Sequence, residues 1–493
     1  MSVASLSGDL RASVRFHWTD KLAAVAVAVL VVYLAKTESL MWTPVLFGAL
    51  VSSALLFVRW PSSPVLELLI ASVIPRWFTK IGAWNAKPEH MVAAACCGAL
   101  LVRICTRSHK WERLERLDWL LTAFLAFNYV SSCLYSPNVG LTLRWALLQT
   151  VAASPYFLIR QLVRSKEQLD KVMTWYLWVG ALEAVFGILC YIGFNYFGTL
   201  VGITIFDYVG FIPGVHASQW EPNIFGSYCT CVAVMFLYYY LSRVHKERNR
   251  WYLAGLAVTT AGISFSLARQ AWVCFIFVSG MLLLFHLGRK GMQKKRLVFI
   301  VVGLLGALIA SILAMNSAES DRLETLAPGQ VDRDPTVVRR ATLVALAMDD
   351  IVQHPIVGLG SSSFQLMYLG EDDSAEGKAE AWLGTLGFRI LHDTGIIGAF
   401  LLAWFLISLG FRTWRVQRRH KSKDVALGAL SAAAVVMLIA YQLTDASTLA
   451  FTWVHLGLLV TALRFAEATP ADQVNAPRPA GVLNGPEFIA RGT

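Results

Sequence analysis

Apolar residues run along the chain in blocks of about 16–22, from Leu22 to Ala466, separated by short polar or basic stretches. A helix of that length crosses the roughly 30 Å hydrocarbon core of a bilayer. Fourteen candidate spans follow, at 22–35, 41–58, 65–75, 91–105, 118–136, 141–160, 172–196, 224–242, 252–268, 270–287, 297–315, 390–411, 425–442 and 449–466. The first is short and the third shorter. Without those two the count is twelve, and every later orientation is unchanged because two crossings have gone. The pattern predicts an all-α, polytopic transmembrane helical bundle of 12–14 spans. The first block follows Arg11, Arg15 and Lys21 as a signal peptide would, but no small-residue cleavage site follows it, so it reads as a retained helix.

The blocks are broken once at length. Residues 316–389 form a loop with twelve Asp/Glu and six Lys/Arg, and loops of that length are usually functional. Arg339 to Gln353 reads as an amphipathic helix, ended by His354-Pro355 and the turn Gly358–Ser363. The expected organisation is an N-terminal bundle over 1–315, a large helical extracytoplasmic loop over 316–389, C-terminal transmembrane helices over 390–466, and a disordered cytoplasmic tail over 467–493.

Composition agrees with the pattern. Of the 493 residues 56% are hydrophobic and 15% charged, against about 45–50% and 25% in soluble domains, so a soluble multidomain protein is excluded. The net charge of +11 would suit a nucleic-acid partner if it were spread over one face. It is not. Arg103–Arg116, Arg160–Lys171, Arg243–Arg250, Arg289–Arg296 and Arg412–Lys423 hold 24 of the 43 Lys and Arg, and with the N-terminus inside all five lie on the cytoplasmic side. The charge reports topology, and no nucleic-acid partner is expected. The eight cysteines lie in or at the ends of apolar blocks without metal-ligand spacing.

Ionisable groups at the lip of a span are costly and need a reason. Arg269 separates two spans at the outer boundary, Arg144 sits near the outer end of another, and Arg339 and Arg340 lie on the loop helix. Guanidinium groups suit phosphate oxygens and stay charged when partly buried; snorkelling or pairing with the acidic loop is the plainer reading. Glu221 opens an apolar helix at Trp220-Glu221-Pro222-Asn223, where helix capping alone would account for it. Glu183 lies mid-span, where a hydrogen-bonding role is expected. His216, His354 and His392 are on the outer side.

Four pieces of sequence resemble the bacterial O-antigen ligase and O-antigen polymerase superfamily, integral membrane glycosyltransferases of the GT-C type. Glu221-Pro-Asn-Ile-Phe-Gly226 is similar to the family's Pro-Asn-x-x-Gly/Ala helix start, and Ser266-Leu-Ala-Arg269-Gln-Ala-Trp272 to its Ser-Arg-x-x-Trp segment. Arg340, followed by Pro355-Ile-Val-Gly358-Leu-Gly360, resembles its Arg…Pro-x-x-Gly-x-Gly stretch. Gly395-Ile-Ile-Gly398 resembles the Gly-x-x-Gly that opens the span after the long loop. Ligases of the family carry His-Asn about eleven residues before that motif; here Gly384-Thr385 stand there, which favours a polymerase over a ligase, and His392 is only three residues before Gly395.

The resemblance implies transfer of a glycan from a polyprenyl diphosphate to a glycan or lipid-linked acceptor. The site would face the periplasm from the bacterial inner membrane, beside membrane lipids, a flippase and a chain-length regulator. Diphosphate is a good leaving group, so cationic stabilisation of its departure matters most. Arg269 and Arg340, with Arg339 and Arg144, are the expected diphosphate ligands. Neither metal nor cofactor is expected, and Glu371-Asp372-Asp373 reads as a solvated acidic run. Glu221, His392 and Asp393 are candidates for assisting the acceptor hydroxyl, with His216 behind them. Trp220, Trp272 and Trp382 are candidates for stacking on sugars. The alternatives are a transporter or flippase of lipid-linked glycans, lowered by the absence of an internal repeat, and a scaffold in a polysaccharide-assembly complex.

Overall fold

In a computed structural model, the described residues are 63–76, 79–81, 84–107, 110–206, 212–242, 249–287, 335–368, 383–419 and 424–468. The candidate spans 22–35, 41–58 and 297–315 lie outside them, as do Glu371-Asp372-Asp373, Trp382 and the tail beyond 468. Thirteen helices and two hairpins make up the rest.

The early helices are α1 (Ser63–Ser72), α2 (Pro88–Cys105), α3 (Arg116–Leu134), α4 (Val139–Leu162) and α5 (Lys166–Phe197). A middle group follows as α6 (Pro222–Ser242), α7 (Asn249–Phe265) and α8 (Arg269–Leu287). The loop region contributes α9 (Pro335–Gln353) and α10 (Ser363–Tyr368), and the chain continues as α11 (Leu386–Arg419), α12 (Val425–Ala440) and α13 (Ala450–Ala468). Six of them, α2, α3, α5, α6, α8 and α11, are long and apolar enough to cross a membrane. The amphipathic stretch expected at Arg339–Gln353 is α9, with Ala347 buried and Met348 and Val352 exposed.

Caps explain where several helices begin. Asn138, Ser165 and Asp424 accept the N–H groups of Leu141, Gln168 and Leu427 and start α4, α5 and α12. Gly198, in the left-handed region at φ 64°, ends α5. Some bounds differ from the apolar blocks because helix runs on through polar residues. The block at 390–411 is a 34-residue element that starts at Leu386 and continues through Arg412–Arg419. Gly395 therefore does not open it. It breaks the helix from within, at φ 59° and ψ −164°. The short hairpins β1 (Thr79–Ile81) with β2 (Trp84–Ala86) and β3 (Ile203–Phe206) with β4 (Ile212–Val215) are antiparallel. They were not legible as strands between apolar blocks.

At the centre stands α6, apolar on every side and buried along its whole spanning length, as expected for a helix surrounded by protein. Its neighbours approach it with glycine. A Cβ on Gly180 of α5 would come within 2.6 Å of Val232, one on Gly187 within 2.4 Å of Phe225, and one on Gly255 of α7 within 2.4 Å of Phe236. On α12, a Cβ at Gly428 would strike the Tyr238 hydroxyl. Small residues at crossings let large ones fill the space opposite.

The two ends of the bundle differ. One end carries α9 and α10 and is called here the loop end. At the other, Arg160 is 2% exposed and paired with Asp118 and Glu115. Tyr156 donates to Asp118 at 2.8 Å, Arg412 bridges Glu115 and Glu467, and Arg164 and Arg464 share Glu112. Three of the five basic clusters thus meet at one end, and part of their charge is tied into α3, α4, α11 and α13.

Removing one member of a buried ion pair strands the other. Arg160→Leu should therefore lower unfolding stability in detergent by about 3–5 kcal/mol. The Arg160→Leu/Asp118→Leu double variant should recover part of that loss, measured as a double-mutant cycle by thermal unfolding.

Candidate functional site

The four sequence pieces converge at the loop end in two packed pairs. The first joins the start of α6 to the turn between α7 and α8. A Cβ on Gly226 would lie 2.5 Å from Ser266 Oγ, 2.9 Å from Ala268 and 3.0 Å from Ala271, so glycine is what allows the Pro222–Gly226 and Ser266–Trp272 segments to touch. Gln270 Nε2 reaches Ser227 Oγ at 3.4 Å, and Thr230 Oγ1 donates to the Ala271 carbonyl at 3.2 Å. Arg269 begins α8 at this seam and is half-buried.

The second pair joins 355–360 to 392–397 through the main chain. Leu359 N–H donates to the His392 carbonyl (2.9 Å), Gly360 N–H to that of Asp393 (2.8 Å), and Ile396 N–H to that of Pro355 (2.8 Å). Gly358 has φ 76° and Gly395 φ 59°. A Cβ on Gly358 would stand 2.6 Å from the backbone of Asp393, Thr394 and Gly395. Ser131 of α3 closes the seam, 2.7 Å from the Val357 carbonyl and 2.6 Å from that of Asp393.

His392 and Asp393 sit beneath this turn, 1% and 2% exposed. The His392 ring has Asp350 Oδ2 at 3.1 Å from Nε2, and Ser363 Oγ at 3.3 Å and Asp393 Oδ1 at 3.4 Å from Nδ1. Asp393 Oδ2 accepts the Ser362 N–H at 2.9 Å. Both side chains are engaged inside the fold, not presented on an open surface as a base for an incoming hydroxyl would be.

Glu221 differs. It precedes α6, is half-buried, and burial raises its pKa from the ordinary carboxyl value while the Arg340 guanidinium pulls it back down. Arg340, on α9, thus acts on the residue that opens α6, 119 positions earlier in the chain. Trp220 beside it is exposed, with Lys87 Nζ 5.2 Å from its ring. Trp272 is 9% exposed and its indole N–H donates to the Ile263 carbonyl at 3.1 Å, so it is engaged between α7 and α8. Arg339 is exposed on α9, and Arg144 is half-buried in the second turn of α4.

Two residues that the sequence reading passed over complete the arrangement. Arg389 and Asp445 form a buried ion pair at 2.5 Å, 3% and 0% exposed, and Arg389 Nη2 also meets Ser447 Oγ at 2.5 Å. Thr444 donates to Gln270 Oε1 at 3.1 Å. The signal is present as lone charges bordering apolar spans, but Arg389 reads in the sequence as the end of the long loop. The contacts run from Asp350 of α9 to His392 on α11, from Arg389 to Asp445, from Thr444 to Gln270 on α8 and back to Ser227 on α6, and the electrostatic pull of Arg340 on Glu221 completes the circuit. Below its Arg389 side lies an apolar cavity of about 240 Å³, with Leu386, Ile390, Tyr441 and Ser447 near the circuit and Leu402 and Leu456 deeper.

A further buried group supports the start of α6. Glu183 of α5 accepts Ser218 N–H at 3.1 Å and Ser218 Oγ at 2.6 Å, the hydrogen-bonding role expected of it. Next to it His216, 2% exposed, contacts Arg76. Burial and that guanidinium push His216 down to about 4. Among the described residues no three His, Cys, Asp or Glu side chains converge as metal ligands. The sequence matches no protein-family model, and no curated protein shows significant similarity to it.

Two measurements follow. Gly358→Ala should cost about 3 kcal/mol or more in thermal unfolding, from backbone strain and clash together. Gly198→Ala, at a positive φ but with nothing within 4 Å, should cost only about 1 kcal/mol. His216 binds its proton less readily folded than unfolded, so stability should be full above about 6.5 and fall as pH drops toward about 4. His216→Gln should flatten that part of the stability–pH curve.

Proposed function

We propose that this protein is a membrane glycosyltransferase acting on polyprenyl-diphosphate-linked glycans at the outer leaflet of a bacterial inner membrane, as a polymerase in preference to a ligase. The observation that carries the reading is the packing of the family-like pieces on one another, Pro222–Gly226 on Ser266–Trp272 and 355–360 on 392–397, with Arg340 exerting an electrostatic pull on Glu221. Without proximity in space those pieces would be four weak matches.

The chemistry divides between the two side chains. The acceptor hydroxyl oxygen forms a bond to C1 of the donor sugar as the bond from C1 to the diphosphate oxygen breaks. Both bonding electrons leave with the diphosphate, whose growing negative charge Arg340 and Arg269 receive, with Arg339 at hand on α9. The acceptor proton passes to Glu221. A carboxyl whose pKa burial has raised is a better base than an exposed one, and the Arg340 guanidinium opposes that rise. Trp220 supplies a sugar-stacking face. The apolar cavity beneath Arg389 and Ser447 suits a length of isoprenoid chain whose headgroup lies in the circuit. In this reading Arg144 serves α4 at the margin of the site, and His392 and Asp393 hold the site together without touching the acceptor.

Purified protein supplied with a lipid-linked oligosaccharide should release polyprenyl diphosphate and lengthen or transfer the glycan. Arg340→Ala and Arg269→Ala should each lower kcat by about 10²–10³, and Glu221→Gln by about 10²–10⁴, with expression unchanged. Full activity in both arginine variants would reject the mechanism. Movement of the lipid across proteoliposomes with an unaltered glycan would replace it with the transporter reading.

A further inference from the structure

We infer that Asp350 is a positioning residue, fixing α9 so that Arg340 is held where it acts electrostatically on Glu221, with His392 and Tyr368 as its anchors. This rests on the role just given to Arg340.

Among the described residues, α9 packs lightly on the rest of the bundle. Its apolar face packs on a small cluster of its own, in which Ala347, Phe364 and Leu383 are buried, apart from the main core. Val338, Met348 and Val352 are exposed. For a helix with so small an apolar contact among the described residues, polar ties weigh heavily.

Asp350 provides one, and it leads to the core. Its Oδ2 accepts the Tyr368 hydroxyl at 3.0 Å and lies 3.1 Å from His392 Nε2. The imidazole is itself immobilised by Ser363 and Asp393 at its other nitrogen and by Phe364 edge-on at 5.2 Å. Asp393 is in turn pinned through Ser362 N–H, and its carbonyl through Gly360 and Ser131. Tyr368, pushed up to about 12 by burial and by Asp350, remains a donor.

Ten residues separate Asp350 from Arg340, about 15 Å along a helix axis. Anchoring the helix at Asp350 sets both the height and the rotation of Arg340. A displacement of about 1 Å at a charged group that must meet a reacting phosphate costs about a hundredfold in rate. Asp350 touches no substrate in this scheme; it acts through Arg340.

Hydrogen–deuterium exchange of the intact protein in detergent tests the anchoring without reference to activity. Asp350→Ala and Tyr368→Phe should speed exchange in the peptide covering 339–347, the first by about tenfold or more. Asp350→Asn, which keeps an acceptor oxygen, should restore most of the protection. Unchanged exchange in Asp350→Ala, or no rescue by Asn, would overturn the inference.

The transferase assay tests what the anchoring is for. Asp350→Ala should lower kcat about 10–100-fold in the wild-type background but less than about twofold beside Arg340→Lys, because the two changes damage one interaction. Fully multiplicative effects would show that Asp350 acts by another route. If the wild-type protein transfers no glycan at all, the functional reading fails on that arm, while the exchange result still decides whether Asp350 holds α9.

Discussion

The main-chain seam between 355–360 and 392–397 is the contact on which the loop end depends. Helix ends leave N–H and C=O groups without partners, and burying them unsatisfied is expensive. Here the broken turn at Gly395 exposes such groups, and the turn at Gly358 supplies theirs in return, so each segment completes the other. Neither residue tolerates a Cβ, since the backbones approach too closely for one. The seam fixes where α9 ends, where α10 starts, and how His392 is covered. The same frame carries α9, from which Arg340 acts electrostatically on Glu221.

Much of the architecture was legible because the bilayer makes backbone satisfaction a local matter. Helices must close their own hydrogen bonds, so apolar block length reports element type directly, and α2, α3, α5, α6, α8 and α11 all appear where blocks stood. Bounds were less legible. A helix ends where its caps or glycines end it, which is why α5 runs from Ser165's cap to Gly198 and α11 runs on through the arginines after Phe411. The hairpin β3–β4 could not be read from hydrophobic blocks, because strands of four residues leave no periodicity to count.

The site was legible in pieces and not in its joints. Arg340, Glu221 and Arg269 stand out as charges where charge is costly. Asp350 does not, because on an amphipathic helix an aspartate looks like any other polar residue until its partner on α11 is known. Arg389 and Asp445 are fifty-six positions apart and conventional alone; their significance is that each neutralises the other in a buried place. His392 presents the opposite lesson. A histidine near a family-like motif invites a catalytic role, yet this imidazole has a carboxylate near each nitrogen and almost no exposure, so both its nitrogens are already engaged inside the fold.

The encasement of α6 has a consequence for how its sequence can drift. Lipid tails never meet this helix, so oiliness is not what its positions are filtered for; shape is. That is why a segment with Tyr228, Tyr238, Tyr239 and Tyr240 can sit at the heart of a membrane protein, and why volume, matched to the glycine notches opposite, is the currency in which substitutions there are judged. An outward-facing helix such as α8, with Val273, Ile276, Phe277 and Leu284 exposed, obeys the reverse rule: it can trade one greasy side chain for another freely and cannot admit a polar one.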